Sequence, residues 1–228
     1  MNSLVLLNGS PRGERSNSMK MLARVAEGWQ RGGRQAPEVL HLAHRNGFDR
    51  AVKAFAEADT VLLGMPLYTD AMPALVKSYI EALQPRTAAA EGANPALGFL
   101  VQSGFPEASH SRPLERYLQK LARRFGSRYV GTIVRGGGES LQMMPDRANE
   151  KLWVRLRTMG EQLYCEGRFG AAELRAVAGV ERMSALTLVL ARLAVHLPIT
   201  QFYWNGMLKK NGAWQQKFAA PHAPSAKL

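Results

Sequence analysis

With 228 residues, 46% of them hydrophobic and 21% charged, the chain has the composition of a globular protein, long enough for one well-cored domain and an appended element. Its single cysteine, Cys165, excludes an internal disulfide and a cysteine-rich metal centre, and a packed thiol late in a helix is the expectation for it. The net charge of +12 attracts polyanions, but no helix-turn-helix, zinc finger or RNP-type strand accompanies it, so sequence-specific nucleic-acid binding is not expected and a small anionic ligand accounts for the sign.

The apolar run Leu4-Val5-Leu6-Leu7 reads as a buried strand that empties into Asn8-Gly9-Ser10-Pro11-Arg12-Gly13-Glu14-Arg15-Ser16-Asn17-Ser18, after which a helical pattern begins. Such a junction is an anion site, because unpaired backbone N–H groups and the positive end of the helix dipole converge there. Ser10, Ser16 and Ser18 add hydroxyl donors, and Arg12 and Arg15 can add charge-assisted bonds to phosphate oxygens. The alternative role for Ser16 or Asn17 is that of a helix cap. The loop has neither the lysine of a triphosphatase P-loop nor the G-x-G-x-x-G of a dinucleotide turn. A single terminal phosphate fits better, and flavin mononucleotide (FMN) is its leading source. The polar loop follows so soon that no secretory leader is read at the start, and a cytoplasmic location is expected.

Further strand-like runs follow at Val39–Leu42, Thr60–Gly64, Leu97–Val101 and Tyr129–Val134. Helical stripes separate them: Leu22, Val25 and Trp29; Val76, Tyr79, Ile80 and Leu83; Leu114, Leu118, Leu121 and Phe125; then Leu152, Leu156, Met159 and Leu163. Five apolar strands joined by helices imply an α/β protein with a doubly wound, five-stranded parallel sheet, and a phosphate loop on the first strand favours the order 2-1-3-4-5. Arg112, Arg116, Lys120, Arg123 and Arg124 have the spacing of a solvated helix face.

Ligands of open parallel sheets sit beyond the carboxyl ends of the strands, so the loops there belong together. After the third strand come Pro66, Leu67, Tyr68 and Thr69, where backbone amides and one aromatic face could meet a flat ring. After the fourth come Ser103 and Gly104, and after the fifth Gly136, Gly137 and Gly138, whose missing side chains would let the backbone approach a ligand closely. His41 and His44 lack a third ligand, so no metal is expected. The domain is expected to span residues 1–167, with residues 168–228 a helical extension and tail. In it, Leu186–Leu197 is apolar nearly all round, too short and too interrupted by Arg192 and His196 to span a membrane. It is expected to bury itself on the sheet domain or a second subunit, either shaping one wall of the ligand pocket or simply capping an exposed sheet face. The end of the chain, with Pro221 and Pro224, reads as a loose tail.

Gly9-Ser10-Pro11-Arg12 with Ser16-Asn17-Ser18, and Asp59–Tyr68 followed by Met72-Pro73 and Lys77, resemble the NADPH-dependent FMN reductase family of flavodoxin-like proteins over residues 3–140. The resemblance implies a flavodoxin-like fold, FMN, a homodimer, and hydride transfer from NADPH or NADH to flavin and on to a small-molecule acceptor such as a quinone, a flavin or a nitro- or azo-aromatic. It also implies that Ser10, Arg12, Ser16, Asn17 and Ser18 hold the phosphate while Pro66, Leu67, Tyr68 and Thr69 line the ribityl chain and ring. No acid–base residue is assigned, since hydride transfer to flavin needs none. Oriented amides of the glycine loop, or Arg135, would stabilise charge on reduced flavin. A flavodoxin-type electron carrier is the alternative, but a +12 chain suits two-electron chemistry better than low-potential electron carriage. A flavin-binding sensor or interaction protein is the other.

Overall fold

The computed structural model describes residues 3–32, 35–83, 94–195 and 201–220. The strands are β1 (Leu4–Asn8), β2 (Glu38–His41), β3 (Thr60–Pro66), β4 (Ala96–Gln102) and β5 (Tyr129–Arg135). All pairings are parallel, in the order β2-β1-β3-β4-β5. The helices are α1 (Asn17–Arg31), α2 (Arg45–Glu57), α3 (Ala74–Ala82), α4 (Arg112–Arg124), α5 (Ser140–Met143), α6 (Glu150–Glu166), α7 (Ala171–Ala178), α8 (Ala185–Val195) and α9 (Phe202–Lys210).

Side chains that alternate along a strand point to opposite faces, and both faces here are covered. Val5, Leu7, Val61, Leu63, Leu97 and Phe99 join the core under α2, α3 and α4. Leu4, Leu6, Leu62 and Leu100 join the core under α1 and α6, with Phe169 and Val177 at its edge. The predicted stripes on α1, α4 and α6 are buried in these two layers. Arg116, Lys120, Arg123 and Arg124 lie exposed on the outer face of α4. Arg112 is bonded to Glu115 and Glu181.

Two features depart from the sequence reading. Cys165 is exposed; two residues after buried Leu163, it has turned about 200° around a 3.6-residue helix and faces solvent. The chain also divides into two compact units, at Arg182/Met183. The expected boundary after residue 167 falls inside the first unit, because Phe169, Val177 and Ala178 are buried in its cores. In the second unit Leu186, Leu188, Val189, Leu190 and Leu193 of α8 are all exposed. His196, Leu197 and the expected tail from Pro221 lie outside the described residues.

Candidate functional site

The loop after β1 is organised by Asn8, a buried side chain at the strand's end. Its Nδ2 donates to the Gly13 carbonyl at 2.8 Å and meets His41 Nδ1 at 3.0 Å. Its Oδ1 accepts from the Ser10 N–H at 3.1 Å and from Ser16 Oγ at 3.4 Å. One amide thus ties both ends of the loop to the neighbouring strand. Ser10 Oγ accepts from the Arg12 N–H at 3.3 Å, and a short turn at Gly13–Arg15 delivers the chain to α1. Ser16 is the helix cap, its Oγ accepting from the Met19 N–H at 3.1 Å. With its proton directed to Asn8, that hydroxyl is largely committed to the protein.

The neighbouring hydroxyl is different. Ser18 Oγ and Asn17 Oδ1 are buried and have no hydrogen-bond partner. An unsatisfied buried hydroxyl costs about 1–3 kcal/mol, and this one lies in the first turn of α1, where the backbone N–H groups also lack intrahelical acceptors. A phosphoryl group is a fitting partner for the Ser18 hydroxyl and these N–H donors, though not for the accepting Asn17 Oδ1, and the donors present suit the phosphate end of FMN.

Four loops from the carboxyl edge of the sheet are bound together around this point. The Leu67 N–H donates to Gln102 O at 2.7 Å, and the Ser103 N–H to Arg135 O at 3.0 Å. The Gly138 N–H donates to Ser103 O at 2.6 Å. Asn17 Nδ2 closes the ring on Gly138 O at 2.8 Å. They enclose a cavity of about 50 Å³ lined by Ser10, Arg12, Ser16, Asn17, Pro66, Leu67, Tyr68, Gln102, Ser103, Gly104 and Glu139. A single water needs only roughly 10–15 Å³, so a compact group such as a phosphoryl fits. Tyr68 is 44% exposed, and Arg12 pairs with Glu139 at 3.7 Å. That pair is solvent-screened and worth at most about 1 kcal/mol, leaving Arg12 easily recruited by an anion.

Ser18, Thr69, Gly136, Gly137 and Gly138 stand outside that lining. Thr69 and Asp70 adopt left-handed backbone, with φ of 46° and 62°. They form a two-residue hairpin turn closed by reciprocal bonds between Tyr68 and Ala71. The glycine loop makes its tightest approaches to the protein itself. A Cβ on Gly136 would lie 2.6 Å from Pro106 O, and one on Gly138 would lie 2.1 Å from Gln102 Oε1. The N–H groups of Gly136, Gly137 and Gly138 donate to Ala178, Phe105 and Ser103. Gly136 and Gly138 let the protein approach itself, while Gly137 has a left-handed φ of 69° and a Cβ there would meet its nearest neighbour at 4.0 Å; the amides of all three are spent. Arg135 likewise turns to α7, donating to Val177 O at 3.1 Å, and burial lowers its pKa. Sequence reasoning did not single out Asn8, Gln102 or Glu139 as site residues. A polar side chain ending an apolar strand was the available signal for the first two.

His41 offers a pH test of the loop. Burial is the largest influence on its pKa and lowers it; Glu14 opposes this and His44 reinforces it. Accepting from Asn8 requires a neutral ring with Nδ1 unprotonated. The unfolded chain therefore takes up the proton first as pH falls below about 6.5. The stability from this contact is complete above that value and is lost as pH falls through the lowered folded pKa. Melting temperatures measured from pH 7.5 down to 5 should fall more steeply for the wild type than for His41→Asn; equal slopes would remove His41 from the account.

The parallel order 2-1-3-4-5, with ligand loops at its carboxyl edge, defines the chain as a doubly wound α/β protein of the flavodoxin type. The model of the family described as having a flavodoxin-like fold matches residues 2–163, and the chain belongs to that family. No curated protein is significantly similar in sequence. Among solved structures, the chain resembles an NADH:FMN oxidoreductase in its apo form, with TM-score 0.56 and 17% identity, covering 82% of this chain and 99% of that one. It also resembles the NAD(P)H:quinone oxidoreductase of Methanothermobacter marburgensis, with TM-score 0.52, 18% identity and coverage of 72% and 98%. An FMN-dependent NADH-azoreductase from Bacillus anthracis in complex with FMN aligns with TM-score 0.53, 14% identity and coverage of 72% and 100%.

Proposed function

We propose that the chain is an FMN-dependent oxidoreductase that takes hydride from NADPH or NADH and passes it to a small acceptor. The observation that carries this reading is the cavity joining the start of α1 to the loops after β3 and β4, with Ser18, the residue after lining residue Asn17, carrying a buried unpartnered hydroxyl. FMN would supply the hydride chemistry, accepting from the nicotinamide and delivering to the second substrate. Ser10, Asn17, Ser18 and Arg12 bind and orient the phosphate end. Pro66, Leu67, Tyr68, Ser103 and Gly104 flank the remainder, and the exposed Tyr68 leaves one side open to solvent and substrate. The relatives named as reductases of quinones and azo compounds support the reaction class. A quinone, flavin or nitro- or azo-aromatic acceptor, a homodimer and a cytoplasmic site of action belong to the same reading.

The test is a flavin titration by fluorescence quenching, followed by NADPH and NADH oxidation with a panel of those acceptors. FMN should bind more than about tenfold tighter than riboflavin, which lacks the anion. Ser18→Ala should narrow that gap, because a hydrogen bond to a charged group contributes about 1.5–3 kcal/mol. Equal affinity for the two flavins would overturn the phosphate assignment. Flavin binding without steady NAD(P)H oxidation would assign the chain to electron carriage or sensing.

A further inference from the structure

The second unit, residues 183–228, has a composition unlike the rest of the chain. It contains no aspartate or glutamate after Glu181, five Lys or Arg side chains, and five aromatic residues between Phe202 and Phe218. Its apolar side chains stand in solvent: Leu186 is 68% exposed, Leu193 63%, Phe202 80%, Trp204 67% and Phe218 88%. A soluble monomer rarely presents so many apolar groups together without a partner.

From this we propose that the second unit is a docking surface for an anionic lipid bilayer, lying on the membrane rather than crossing it. Its helix α8 has 11 residues, about 16 Å of rise, which is half of a bilayer core. No helix among the described residues is long and apolar enough to cross a membrane. The charge pattern selects the occupant. A second copy placed face to face would set the described cations Arg192, Lys209, Lys210 and Lys217 against their own kind with no carboxylate to compensate, whereas an anionic headgroup layer complements them. Trp214 carries the matching chemistry: Lys217 Nζ lies 4.0 Å and Lys209 Nζ 5.1 Å from its ring centroid, and Lys217 also lies 4.9 Å from that of Phe218. Indole rings favour the headgroup level, and ammonium groups beside them reach lipid phosphates. Exposed leucines of α8 supply the apolar contact, and the cations outside it supply the polar one. This inference is independent of the flavin reading.

Flotation of the full-length protein tests it, using vesicles of phosphatidylcholine alone and vesicles of phosphatidylcholine mixed with phosphatidylglycerol. Binding should favour the anionic vesicles and weaken with added salt. The triple variant Lys209→Gln, Lys210→Gln, Lys217→Gln should lose about a hundredfold in partitioning, near fivefold for each charge. Leu190→Ser with Leu193→Ser should lose binding while leaving circular dichroism and melting temperature unchanged, since both positions are exposed. The proposal is overturned if the wild type fails to float with anionic vesicles, or if the lysine variant floats as well as the wild type. It is also overturned if sedimentation equilibrium shows a dimer that the leucine variant abolishes, which would assign the face to a second copy.

Discussion

Asn8→Ala should lower folding stability by about 2–4 kcal/mol and weaken FMN binding by tenfold or more. The side chain is buried and holds four partners: Gly13 O, His41 Nδ1, the Ser10 N–H and Ser16 Oγ. Removing a buried amide strands the groups it served, and each unsatisfied group costs about 1–3 kcal/mol where water cannot replace the partner. The loop would then relax away from β2, and the donors proposed to meet the phosphate would lose their alignment. A tenfold loss of affinity corresponds to only about 1.4 kcal/mol, well within what the disordering supplies. Urea denaturation and flavin titration measure the two effects. Asn8→Asp separates them, because it keeps the acceptor for Ser10 and Ser16 but adds a negative charge beside the anion site. It should bind FMN less well than Asn8→Ala relative to its stability. If Asn8→Ala leaves both quantities unchanged, the side chain does not organise the loop.

Gly160→Ala should destabilise the first unit by about 3 kcal/mol, although alanine is the better helix former by about 1 kcal/mol. A Cβ at Gly160 would lie 2.1 Å from Val25 O and 2.7 Å from Trp29 N, both backbone atoms of α1. The reciprocal position is as tight, since a Cβ on Gly28 would lie 1.8 Å from Arg157 O. Neither contact is relieved by turning a side chain, so the two helix backbones must separate and open the layer containing Leu22, Trp153 and Leu156. Gly206→Ala is the control: nothing lies within 4 Å of its Cβ, so the change should be neutral or mildly stabilising. The urea midpoint of Gly160→Ala should fall with little change in slope. An unchanged midpoint would show that the helices move apart at little cost.

The sheet was legible in the residues because its signals are local. Apolar runs at Leu4–Leu7, Thr60–Gly64, Leu97–Val101 and Tyr129–Val134 mark strands buried on both faces, and 3.6-residue stripes mark the helices between them. The polar loop between β1 and α1 was legible for the same reason: its strand, hydroxyls and helix start are contiguous. Its neighbours at the sheet edge could be located by topology. The tertiary structure decided how each polar group is spent. Ser16 caps α1 and bonds Asn8, while Ser18 is left without a partner. Gly136, Gly137 and Gly138 give their amides to Ala178, Phe105 and Ser103. Gln102 and Glu139 enter a cavity with Arg12 and Asn17 across more than eighty residues of chain. Hydrogen-bond partners at such separations depend on how loops meet in space, and spacing along the chain carries no record of them. The same holds for α8. Its residues specify an apolar helix by themselves, but whether that surface is covered depends on what else is within reach, and its own unit leaves its leucines exposed.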